Sequence, residues 1–263
     1  TEFSYQLVQA YDYYCLYRDH ACKLQMGGSD QWGNIVSGID YIGRNISGSK
    51  AYAITTPLLT KSDGKKFGKT EEGNVWLDPR MTSPYKFYQF WLNADDNDLP
   101  RLFRYFSFRT QEDILRLEDA HQDDPRILKQ ALAEEITSRI HGAESFARVL
   151  RVSQLLFSKD CSIDFLQGLH DNDYEAVGVE IPGYEIPRNQ LDKNPVLSDF
   201  LTEVCPIFKS KTEVRNAVQN NAISINKSKI SDAQMVVNET QFIRKKYLML
   251  ENGKKNKYLI KLS

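Results

Sequence analysis

Cysteine and histidine are scarce, with four of each among 263 residues. Cys15, Cys22, Cys161 and Cys205 form no CxxC pair, and His20, His121, His141 and His170 show no HExxH spacing. Those absences argue against a zinc site and a disulfide framework and imply reduced thiols. Long apolar runs are also missing. No uncharged stretch approaches the ~18 residues of a membrane span, and no basic segment leads into an apolar one at the N-terminus. A cytoplasmic protein with no membrane partner is therefore expected. An excess of one charge is absent too, since 34 Lys+Arg oppose 35 Asp+Glu. The remaining composition, 41% hydrophobic with 26% charged, belongs to a globular chain whose length suggests two domains and allows three.

The balanced total hides a split. Residues 193–263 carry 13 Lys+Arg and 6 Asp+Glu, net +7, which leaves 34−13=21 against 35−6=29, net −8, for residues 1–192. A basic module on an acidic body suits a polyanionic partner, nucleic acid first, with a solvated charged face as the plainer reading.

Apolar residues at helical spacing over 3–18 predict a helix, and residues 23–26 a short buried strand ending at Gly27 and Gly28. Ser29 or Asp30 would cap a second helix carrying the stripe Trp32, Ile35, Val36, Ile39 and Ile42. Strand, glycine turn, helix is the unit of a parallel α/β sheet, with residues 51–60 as a further strand. Ser83-Pro84, Thr110 with Asp113, and Asp124-Pro125 then mark successive helix starts. The fold class expected is multidomain α/β + α + α+β. Residues 1–83 form part of a Rossmann-like domain, 84–157 a helical domain, 158–195 a linker or irregular segment, and 196–263 a small α+β module. In that module residues 196–204 and 211–220 read as helices and Ile223 and Ile225 as a strand. Residues 241–250 and 257–262 would pair as a hairpin around Glu251-Asn252-Gly253.

Three groups of residues can carry chemistry. Tyr5, Gln9 and Asp12, at i, i+4 and i+7, share one helical face. Such a polar stripe either faces water or meets a polar ligand. Gln25-Met26-Gly27-Gly28-Ser29-Asp30-Gln31-Trp32-Gly33-Asn34 puts glycines where open α/β sheets bind ligands, although a plain helix-start turn would look the same. The loop from Lys61 to Thr70 holds Lys61, Lys65, Lys66 and Lys69 beside Gly64 and Gly68, a set that can surround phosphate or serve as a solvated turn. It is not a P-loop, because that motif needs glycine where Asp63 stands.

In this order, YxxxQxxD, GGSDQWGN and KFGKT resemble the second half of the bacterial and organellar type of tyrosyl-tRNA synthetase, a class I aminoacyl-tRNA synthetase. The resemblance extends over essentially the whole chain. The run from Ser83 looks like the start of that family's helical anticodon-binding domain, and the basic C-terminal module like its RNA-binding domain. It implies that Tyr5 and Gln9 contact the α-amino group of tyrosine and that Asp12 is a buried acceptor for its phenolic hydroxyl. Gln31 would lie near the substrate carboxylate and Gln25 would support the pocket. Gly28 and Asp30 would hold the adenylate ribose, and Lys66, Lys69 and Thr70 would close over the β and γ phosphates. It also implies ATP as substrate with Mg2+ and no tightly bound cofactor, tRNA(Tyr) as partner, and a homodimer.

Two departures accompany the resemblance. No HxGH-type motif occurs, and Tyr5 stands close to Thr1 where the family has a long preceding half-domain. The chain is therefore expected to be a C-terminal fragment without activity of its own. Rival readings are an RNA-binding protein without the catalytic half and an NTPase using the lysine loop. In the basic module Asn220-Asn221-Ala222 and Asn226-Lys227 replace glycine turns, and asparagine should let those turns survive.

Overall fold

A computed structural model describes residues 2–60, 62, 67–70, 73–158 and 161–263, and their side chains except at 2, 3, 69, 70 and 73. The chain forms two compact units, residues 1–75 with 94–102, and residues 76–93 with 103–263.

In the first unit, α1 (Glu2–His20) leads to β1 (Leu24–Gly28), a 3-10 turn (Ser29–Gln31), α2 (Trp32–Asn45) and β2 (Tyr52–Thr56). Strands β1 and β2 are parallel, with Gly27 opposite Thr55 and Gly28 opposite Thr56. The two helices meet through Tyr13, Ile35 and Ile42, all buried. Gly38 permits the approach, because a Cβ there would stand 2.8 Å from Tyr13 Cδ1. The Tyr13 hydroxyl lies 2.9 Å from the carbonyls of both Lys23 and Tyr52, so one proton ties the entry of β1 to that of β2. Two short antiparallel strands, β3 (Lys69–Thr70) and β4 (Gly73–Asn74), follow. Ser29 and Asp30 were expected to cap α2, but neither makes a side-chain cap bond. The 3-10 turn intervenes instead.

The second unit begins with α3 (Pro84–Leu92), which Ser83 caps by accepting from the Lys86 amide at 3.1 Å. Helix α4 (Leu99–Phe106) belongs to the first unit as far as Leu102, and α5 (Gln111–Ala120), α6 (Pro125–His141) and α7 (Ala143–Phe157) follow in the second, α5 capped by Thr110 and α6 by Asp124, as the sequence spacing predicts.

Residues 158–195 differ from the irregular linker expected of them. They contain α8 (Ile163–Gly168), α9 (Asp171–Glu180) and β5 (Gly183–Ile186). The elements are too short to show a full apolar period, yet Leu166, Tyr174 and Val177 are fully buried. Tyr174 stacks on Tyr247, 4.6 Å between centroids and 11° between planes.

The C-terminal module holds α10 (Leu197–Asp199), a π turn (Phe200–Val204) and α11 (Lys211–Gln219). Strands β6 (Ile223–Ile225), β7 (Ser228–Lys229), β8 (Tyr247–Asn252) and β9 (Asn256–Leu262) join β5 in one sheet of order β5-β9-β8-β6-β7. Only β5 is parallel to its neighbour. Along β8 the side chains alternate between two cores: Leu248 and Leu250 enter one with α11, whereas Tyr247 and Met249 enter another with α7 and α9. The strand expected over 241–250 starts only at Tyr247, because Arg244 and Lys245 take φ of +54° and +53° and turn the chain. Asn221 (φ +51°) and Asn226 (φ +48°) hold the turns expected of them. Lys227 also sits at φ +68°, where glycine is usual, and its ammonium is fixed on Glu251 at 2.8 Å.

Candidate functional site

The glycine turn is built around close approach. A Cβ on Gly28 would meet Asp30 Oδ1 at 2.7 Å and Leu58 Cδ2 at 2.9 Å. Glycine is thus what allows the Asp30 carboxylate to fold back over the end of β1. Gln31 Nε2 donates towards Asp30 Oδ2 at 3.5 Å, and Asn34 Nδ2 donates to Gln31 Oε1 at 3.3 Å. Asp30 and Gln31 are therefore linked at the C-terminal end of a parallel strand pair, the edge at which open α/β sheets take ligands. Gln25, on β1, has its side-chain oxygen buried with no hydrogen-bond partner among the described residues. A buried amide oxygen of that kind has unused acceptor capacity.

Tyr5, Gln9 and Asp12 lie along α1. Gln9 is half-buried, while Tyr5 is 61% exposed and Asp12 is exposed as well. This corrects the expectation of a buried Asp12: α1 covers α2 with Ala10, Tyr13 and Gln6, and the stripe lies beside that contact rather than inside it. Val8 and Leu16, next to the stripe, are exposed too. Sequence reasoning missed Gln6. Its Nε2 donates to the Gly33 carbonyl at 3.3 Å and to Ser37 Oγ at 2.5 Å, tying the N-terminal part of α1 to that of α2. Its place one residue after Tyr5 was the only signal.

Of the lysine loop, Lys66 lies outside the described residues, as do Lys61 and Lys65. Lys69 and Thr70 form β3, paired with Asn74 and Gly73. The loop begins and ends at one place, since the Phe67 amide donates to the Leu59 carbonyl at 3.2 Å.

Among the described residues, no three His, Cys, Asp or Glu side chains gather to hold a metal ion, and no helix is long and apolar enough to cross a membrane. All four cysteines are free thiols, and burial pushes the Cys205 thiol up to about 12.

In the C-terminal module several cations are engaged. Lys211 pairs with Asp199 and Glu203, Lys246 with Asp171, Lys261 with Glu175, and Lys227 and Lys257 with Glu251. Burial alone would push the Glu251 carboxyl up, but the two lysines outweigh it and hold it below the usual carboxylate range. Among the described residues Lys209, Arg215, Lys245, Lys254 and Lys255 form no ion pair, and Lys229 only donates to the Asn221 carbonyl at 2.7 Å. These cations are the module's available positive charge.

Residues 1–158 match the model of tRNA synthetases class I (W and Y), and residues 177–260 match the model of the tyrosine–tRNA ligase SYY-like C-terminal domain. The chain is 44% identical over 262 residues to a tyrosine–tRNA ligase of Porphyromonas gingivalis, covering 99% of this chain and 60% of that protein. It is 46% identical over 267 residues to one of Cytophaga hutchinsonii, covering 100% and 62%. A C-terminally truncated mitochondrial tyrosyl-tRNA synthetase of Coccidioides posadasii is similar at a TM-score of 0.48 and 34% identity, over 56% of this chain and 43% of that one. The chain spans about 60% of the length of the curated relatives it matches. With more than half of its residues inside the first family model, it belongs to the tRNA synthetases of class I (W and Y), and it carries the C-terminal domain of the tyrosine–tRNA ligases.

Proposed function

We propose that this chain is part of a tyrosine–tRNA ligase that joins tyrosine to ATP, giving tyrosyl-adenylate and pyrophosphate, and then transfers the tyrosyl group to a terminal hydroxyl of tRNA(Tyr). The observation that carries this reading is the Gly28–Asp30 turn at the C-terminal end of the parallel strand pair, where a glycine lets a carboxylate close over the strand end. Asp30 and the Gly28 backbone would receive the ribose of the adenylate. Gln31 would lie at the substrate carboxylate, and the unused Gln25 oxygen would support the tyrosine pocket. Tyr5 and Gln9 would take the ammonium group. Asp12 would accept from the phenolic hydroxyl and so select against phenylalanine; the handling of that hydroxyl in this family is a known case of strong discrimination.

The carboxylate of tyrosine attacks the α-phosphate, and negative charge grows on the departing pyrophosphate. Lys66, Lys69 and Thr70 would neutralise it there, so that catalysis is positioning and electrostatics without a covalent protein intermediate. Mg2+ would arrive on the triphosphate of ATP, and the described residues gather no ligand set for it. Functionally, residues 1–83 would belong to catalysis, 84–157 to the anticodon, and 196–263 to RNA, with β5 of the preceding segment forming part of the same sheet. Lys209, Arg215, Lys254 and Lys255 would meet tRNA phosphates. The parent protein would act as a homodimer in the cytoplasm.

The test is amino-acid-dependent ATP–pyrophosphate exchange by the full-length protein that contains this chain. Exchange with tyrosine and not phenylalanine, lost in Asp12→Ala with tRNA affinity retained, is expected. Exchange indifferent to the amino acid, or an Asp12→Ala variant that loses tRNA and tyrosine alike, would refute it.

A further inference from the structure

The lysine loop is held at its root by residues from a distant part of the sequence. Residues 94–102 follow α3 in the chain but pack within the same unit as the loop. Asp95 starts a 3-10 turn (Asp96–Asp98) by accepting from the Asn97 amide at 2.9 Å, and α4 continues directly from it. Asp98 and Arg101, three residues apart, consequently point the same way. Arg101 Nη1 donates to the Thr60 carbonyl at 2.8 Å and lies 3.5 Å from Thr60 Oγ1. The Ser62 hydroxyl donates towards Asp98 Oδ2 at 3.5 Å. Asp98 is only 5% exposed, and its other oxygen, Oδ1, is buried with no hydrogen-bond partner among the described residues. A buried carboxylate oxygen without a donor is costly, and core packing does not call for one. Here the carboxylate stands beside Ser62, at the start of the lysine loop.

We propose that Asp98 and Arg101 are positioning residues, which fix the N-terminal root of the lysine loop and thereby the place where its ammonium groups meet a phosphate-bearing substrate. The proposal rests on the tyrosine-activation reading above. Neither residue touches substrate. Their effect passes through Thr60 and Ser62, next to the backbone bond between Leu59 and Phe67 that closes the loop. The guanidinium suits the task because its rigid plane holds Nη1 on the Thr60 carbonyl, with the hydroxyl of the same residue beside it, which a lysine ammonium does less rigidly. A shift of ~1 Å in such a support can cost up to ~10²-fold in rate.

The experiment uses the full-length protein with Arg101→Ala, Arg101→Lys and Asp98→Asn. ATP–pyrophosphate exchange is measured with ATP and tyrosine varied separately, tyrosine binding is measured without ATP, and trypsin cleavage after Lys61, Lys65, Lys66 and Lys69 is timed. Arg101→Ala should lower kcat/KM for ATP by about 10-fold or more while tyrosine affinity stays within about 2-fold. Arg101→Lys should recover part of the loss, Asp98→Asn should show a smaller loss of the same kind, and trypsin should cut the loop faster in Arg101→Ala. Unchanged ATP kinetics, or equal loss of ATP and tyrosine function with unchanged cleavage, would overturn the proposal. A wild-type protein without tyrosine-dependent exchange would overturn the activation reading instead. The trypsin comparison then decides the anchor alone: faster cutting supports it, and an unchanged rate refutes it.

Discussion

In the strand pair β1–β2 the side chains of Leu24, Met26, Tyr52 and Ile54 are exposed, whereas in β8 Tyr247, Leu248, Met249 and Leu250 are all buried. Both are apolar strands, but their surroundings differ. The five-stranded sheet lies between two cores, one with α11 and one with α7 and α9. Among the described residues the parallel pair has helices on one face only, and parallel strands in α/β proteins are ordinarily covered on both. The contrast shows that exposure of an apolar strand reports what is packed against it, not what the strand is made of. The first unit is held by its helix contact and by one tyrosine hydroxyl, and the second by sheet and helices together.

The comparison can be broken most forcefully at Glu251. Glu251→Ala would leave the ammonium groups of Lys227 and Lys257 facing each other without a counterion, a loss of about 3 kcal/mol or more. Denaturant unfolding followed by a probe in the C-terminal sheet should show it, with the first unit unaffected. An equal shift in both units would mean that they unfold together. Next in size, Tyr13→Phe removes the proton shared by the Lys23 and Tyr52 carbonyls, at a cost of ~1–2 kcal/mol that should fall on the first unit alone.

Acid sharpens the contrast further. Lys246 holds the Asp171 carboxyl, and Lys261 the Glu175 carboxyl, below the usual range. Folded-state values below the unfolded ones mean stability that is present above about pH 4 and is lost as pH falls through the depressed values. The contribution is small because both carboxylates are largely solvated. A modest fall in the melting temperature of the second unit below about pH 4 is expected, and a rise would refute the assignment. The smallest effect should come from Met26→Thr. Met26 is 65% exposed, so the change should stay within about 0.5 kcal/mol in this chain. A larger loss would mean that the open face is covered in solution.

Where the chain signals its structure locally, the sequence can be read directly. Ser83-Pro84, Thr110, Asp124 and Ser210 each cap the helix they precede, because a cap depends on residues within one turn. The first two glycines of GGSDQWGN likewise fall at the end of β1. What could not be read depends on distant partners. Strand β5 has four residues and acquires its identity from β9, more than seventy positions away, and Tyr174 is defined by the ring of Tyr247. The exposure of Asp12 and the bond from Arg101 to Thr60 are tertiary facts of the same kind. Residue type names a candidate site, but packing decides which face of it is open.

The turn at Asn226-Lys227 bears on how the protein would respond to an amine-reactive reagent. Lys227 occupies a hairpin tip, where a lysine is ordinarily an easy target, yet its side chain is 7% exposed and its nitrogen is committed to Glu251. Lys254 and Lys255, at the tip between β8 and β9, are exposed. Acetylation of the native chain should therefore mark Lys254 and Lys255 and spare Lys227, and the appearance of label on Lys227 would report the opening of the sheet.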